Sequence, residues 1–157
     1  MTDHAKVLAF IAKCEDPTEL RGIIKNAADQ GVEEVRLAAL KRLIEVVPEE
    51  NPGSVEHDFW RSITAFEHLR SVANGKTTRL SRTRQKVKRV GILKVLEDFA
   101  LGRETEGYES LMELGMPELT GEAIILRHET AFSPEAVAAA RSRLSSAGVD
   151  LDEASAS

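Results

Sequence analysis

The chain has 157 residues, 42% of them hydrophobic, 30% charged and only 4% aromatic, with a net charge of −5. That length supports one core of ordinary size, and the composition excludes a collagen-like, disulfide-scaffolded or membrane-spanning chain. A lone cysteine, Cys14, and an early apolar run (Val7 to Ala12) too short for a signal-peptide core point to a cytoplasmic protein.

The first third reads as helices. A short apolar helix spans Lys6 to Cys14. Asp16 is a fitting N-cap and Pro17 fits the first helical position. From there Leu20, Ile23, Ile24, Ala27 and Ala28 recur on one helical face until Gly31 stops the helix. The next helix covers 32–47, with Val35, Ala39, Leu40, Leu43, Ile44 and Val47 on one side. So short a turn sets the two helices roughly antiparallel, giving a helical hairpin over 5–47. Two prolines and a glycine then make 48–55 a loop.

From about Glu56, Phe59, Ile63, Phe66 and Leu69 keep helical spacing until Asn74-Gly75. A second long helix is expected over 81–101, ended by Gly102, and shorter ones over 106–114 and 118–128, separated by Gly115-Met-Pro117. Ser133-Pro134-Glu135 starts the last helix, which runs to about Ser146. Ile124-Ile125-Leu126 is the best candidate for a strand, but three apolar residues do not fix a period. The expectation is therefore an all-α fold of about seven or eight helices. Residues 1–148 form one domain, with the hairpin followed by a bundle over 56–148, and 149–157 form a disordered tail.

No catalytic constellation emerges. Gly75-Lys76-Thr77-Thr78 resembles the end of a phosphate-binding loop, but Arg70 stands where the first glycine belongs and a helix precedes it instead of a strand. His57 and His68 share a helix face yet lie roughly 16 Å apart along the axis, too far to hold one metal. No Gly-x-Ser-x-Gly elbow is present, and Cys14 has no catalytic surroundings. Neither a catalytic residue, a metal nor a cofactor is expected. A helix–turn–helix over 107–128 has a suitable length, but Glu118 and Glu122 would bring the wrong charge to DNA.

The charge is unevenly spread. Between residues 76 and 89 lie seven basic residues and no acid: Lys76, Arg79, Arg82, Arg84, Lys86, Lys88 and Arg89. On a helical wheel Arg79, Arg82, Lys86 and Arg89 fall within about 80° of one another. Arginines, neighbouring hydroxyls (Thr77, Thr78, Ser81, Thr83) and a helix N-terminus together suit phosphate oxygens. The segment lacks interleaved aromatics, so stacking on single-stranded bases is not expected. The pattern points to a non-enzymatic protein that binds nucleic-acid backbone with little base readout. The alternative is an adaptor whose basic helix docks an acidic protein partner, another subunit or a second copy of the chain. Internal pairing with the acidic flanks is the third way to use such a segment.

Overall fold

The computed structural model describes residues 3–155, which are all-helical, with ten α-helices, two short 3-10 turns and no strand. The chain divides into two compact units between Glu49 and Glu50, inside the proline- and glycine-rich loop.

The first unit holds α1 (Asp3–Lys13), α2 (Pro17–Gln30) and α3 (Glu33–Val46). Its boundaries follow from local chemistry. The Asp16 side chain accepts from the Thr18 amide at 2.9 Å, and Pro17 opens α2. Gly31 closes it in the left-handed region (φ 70°), which costs glycine nothing. Leu20 and Ile24 on α2 bury against Ala39, Leu40 and Leu43 on α3, and α1 adds Ile11.

The second unit starts with α4 (Val55–Asn74), capped by Ser54, whose hydroxyl accepts from the His57 amide. Then follow α5 (Ser81–Val90), α6 (Ile92–Leu101), α7 (Glu106–Glu113), α8 (Gly121–Arg127), α9 (Pro134–Ser146) and α10 (Leu151–Ala154). The 3-10 turns are Pro117–Leu119 and Glu129–Ala131. The short α8 packs against α4, α6 and α9. That burial explains Ile124-Ile125-Leu126: a helix surrounded on several sides is apolar all round and loses its amphipathic signature.

Three expectations need correction. The 81–101 helix is two helices, because Gly91 sits at φ 88°, ψ 163°, a conformation open in practice only to glycine. Gly91→Ala is therefore expected to destabilise the unit by about 1–3 kcal/mol, read as a lowered denaturant midpoint with unchanged slope. The 118–128 helix is a 3-10 turn followed by α8, because the Thr120 hydroxyl accepts from the Ala123 amide and restarts the helix there. Together these breaks, with α10, raise the helix count above seven or eight.

The third correction concerns the tail. Residues 150–155, expected to be disordered, are folded; Asp150 caps α10, Ala154 is buried, and the Ala154 carbonyl accepts from Arg127 at 3.0 Å. Residues 156–157 lie outside the described residues. Truncation after Val149 removes that acceptor from a buried guanidinium and uncovers the core beneath Ala154. A loss of about 1–3 kcal/mol is expected, or several degrees in Tm for a unit of this size. An unchanged Tm would show that α10 contributes nothing.

Candidate nucleic-acid interface

The basic segment begins where α4 ends. Gly75 takes the left-handed conformation (φ 70°) and turns the chain back. The Ser71 hydroxyl accepts from the Thr78 amide at 2.8 Å and donates to the Glu67 carbonyl at 2.7 Å. Asn74 donates to the Thr78 hydroxyl at 3.0 Å. These bonds pin 75–80 along the last turns of α4 and fix where α5 starts.

Glu67 then clamps α5 to α4. Its carboxylate accepts from the Leu80 amide at 2.7 Å and from Arg84 in a two-pronged pair at 2.8 and 2.7 Å. The same guanidinium lies 5.1 Å above the Trp60 ring, one face of α4 supplying both contacts. Burial pushes the Glu67 carboxyl up, but the Arg84 and Leu80 hydrogen bonds and the arginine charges outweigh it, leaving the group below its usual range. A second clamp joins α5 to α6: Lys86 sits 2.6 Å from Asp98, which Lys94 also meets at 3.0 Å. The hydrogen bonds from Lys86 and then Lys94 hold the Asp98 carboxyl below its usual range.

The seven basic side chains therefore separate into two groups. Arg84 and Lys86 are half-buried and paired within the protein. Lys76, Arg79, Arg82, Lys88 and Arg89 are exposed and form no ion pair among the described residues. Lys86 drops out of the stripe seen on the helical wheel, and Lys88 joins Arg82 and Arg89 on the solvent side. Leu80, Thr83 and Val87 turn toward the core, which seats α5 on its apolar edge. No side chain caps α5 at Leu80, so its first-turn amides add partial positive charge beside Arg79 and Arg82.

A second polar cluster lies elsewhere in the unit. Asp58 accepts from His128 at 2.7 Å, from Arg127 at 3.2 Å and from Arg61 at 3.2 Å. Arg127 also donates to the carbonyls of Glu118 and Ala154 at 2.8 and 3.0 Å. Glu122, also buried, pairs with Arg143 at 2.9 Å, and Arg143 donates to the Phe99 and Gly102 carbonyls. Both clusters tie distant segments together, and neither shows a nucleophile beside a base. His57 is buried, and no grouping of metal-ligating side chains occurs among the described residues. No helix among them is long and apolar enough to cross a membrane.

No family model, curated protein or solved structure matches the chain.

Proposed function

We propose that the protein binds the sugar–phosphate backbone of nucleic acid through Lys76, Arg79, Arg82, Lys88 and Arg89. One observation carries this reading: five exposed cations that form no ion pair among the described residues occupy a short segment of an otherwise acidic chain, held in place by Arg84 and Lys86. A merely solvated surface needs no such clamps, and an internally paired one would engage all seven. Cations on a fixed backbone lose less backbone freedom on meeting phosphates than those of a flexible basic tail do.

Titrating duplex DNA against salt tests the reading. With five phosphate contacts the slope of log affinity against log salt is about −4.5, so affinity falls about 500-fold between 50 and 200 mM. Sequence changes in the duplex leave it nearly unaltered. No retention of DNA or RNA at about 50 mM salt defeats the proposal.

A second reading, docking of an acidic protein partner, draws on Val90 and Leu93, both 42% exposed beside Arg89. Protein interfaces bury apolar anchors among their charges, whereas backbone binding does not need them. Serine at both positions would weaken an acidic protein partner and leave DNA affinity unchanged.

A further inference from the structure

Among the described residues every α-helix holds at least one buried side chain except α5. Its inner edge, Leu80, Thr83 and Val87, is only half-buried. Packing of an apolar face supplies most of the stability of a helix in a protein, and α5 has the least of it.

The sequence of α5 also works against a helix. It has 10 residues, whereas helices below about 12–15 residues are marginal on their own in water. Arg82, Arg84, Lys86, Lys88 and Arg89 stand in it with no acid. Arg82 and Lys86, and Arg84 and Lys88, are four residues apart, where like charges oppose the helix. Arg82 and Arg84 lie in addition near its positive end. The counter-charges come from outside. Glu67 on α4 accepts from Arg84 and from the Leu80 amide, and Asp98 on α6 meets Lys86 at 2.6 Å. Both pairs are partly open to solvent.

The ends of α5 are uncoupled from its neighbours. Gly91 breaks the run into α6, which restarts with the Val95 amide donating to the Gly91 carbonyl at 3.2 Å. Val95, Leu96 and Ala100 seat α6 in the core by themselves. On the other side Thr78 is pinned to Ser71 and Asn74 of α4.

We infer that α5 is a conditionally folded segment: residues 80–90 undock and lose their helix as one unit while the rest of the second unit stays folded, and a polyanion along the outer face of α5 shifts the equilibrium to the docked helix. The cause is charge. Glu67 and Asp98 neutralise two of the five cations of α5, and phosphates beside Arg82, Lys88 and Arg89 neutralise the others. An order–disorder equilibrium of one segment is a common way to couple a ligand to a fold. The opening stands without the nucleic-acid reading, and the shift by a polyanion rests on it.

Residue-resolved amide hydrogen exchange on the full chain tests both. In the free protein at about 50 mM salt, the amides of Arg84 to Gly91 should exchange at least about 100-fold faster than those of Leu96, Ile125 and Leu144, and their rates should rise less steeply with urea. A shared rate and a shared urea dependence overturn the inference, because α5 then opens only with the whole unit. Glu67→Gln should speed exchange in α5 about tenfold, and no change overturns the clamp. Gln85→Glu, at an exposed position, sets an acid three residues after Arg82 and four before Arg89. It should slow exchange in α5 about two- to fivefold, and unchanged or faster exchange overturns charge as the cause. A saturating duplex of about 20 base pairs should slow α5 at least about tenfold. Bound DNA without slowing overturns the coupling and leaves the interface standing. Absence of DNA binding defeats interface and coupling together, while the urea series still decides the opening.

Discussion

Replacing Arg82, Lys88 and Arg89 together by glutamate is expected to abolish retention of duplex DNA while the protein keeps its helical circular dichroism spectrum. All three side chains are exposed and bonded to no acid among the described residues, so their loss removes no internal contact. Exposed substitutions usually change stability by about 0.5 kcal/mol or less each. The helix dipole modifies this slightly. Glutamate at position 82 favours the start of α5, whereas at 88 and 89 it opposes the end, at about 0.3–1 kcal/mol apiece. Binding responds far more strongly, because three attractions become three repulsions against a dense line of phosphates. Alanine at one of the three lowers the steepness of the salt dependence by about one unit.

The paired residues give the contrasting outcome. Arg84→Glu turns a second carboxylate toward Glu67 and removes the cation from above Trp60. DNA binding would then be lost together with the seating of α5, visible as reduced helicity or a lowered Tm. Arg141 is a suitable control, since it is exposed and paired with Glu129 on a different helix. Arg143 is not, because it sits among Glu122, Phe99 and Gly102. Unfolding of the triple variant would show that the exposed cations hold the fold, and intact DNA binding by a folded triple variant would refute the interface.

What was legible in the sequence is what short-range chemistry decides. The caps at Asp16 and Ser133, the prolines behind them and the closing glycines at 31 and 75 act within a few residues, and each takes the conformation its neighbours imply. Gly91 was not legible. Lone glycines are tolerated inside helices, and the apolar pattern runs across it from Val87 to Val95 and Leu96, so nothing local announces the break. The tail was missed because its anchor, Arg127, lies 27 residues upstream. The division of the basic segment was hidden for the same reason. Seven cations look alike until the chain brings Glu67 and Asp98 to two of them. Trp60 and Glu67, seven apart on one face of α4, were the available hint that an arginine would dock there.

Asp58→Ala is expected to destabilise the second unit about as much as truncation of a large core side chain. Asp58 is 5% exposed, and Arg127, its partner from α8, has a side chain 4% exposed. Removing the carboxylate leaves that guanidinium buried without its counter-charge, with one terminal nitrogen already lacking a partner. Breaking a buried pair in this way costs about 3–5 kcal/mol. Asp58→Asn keeps the shape and part of the hydrogen bonding, and should cost less. The pH dependence has a definite sign. Burial pushes the Asp58 carboxyl up, but the His128 hydrogen bond and the Arg127 and Arg61 charges outweigh it, so the folded group ionises below the ordinary value of 3.8. A carboxyl depressed by folding stabilises the folded state above its unfolded pKa, and that stability disappears as pH falls through the folded value. Glu67, depressed from 4.5, acts in the same direction. Glu122, raised by burial, acts in the opposite direction and offsets part of the loss. Wild-type stability should therefore fall below about pH 4 through Asp58 and Glu67, and the Asp58→Asn variant should lose less over the same range. Parallel acid-unfolding curves for the two proteins would show that Asp58 is not held in its charged form by Arg127 and His128.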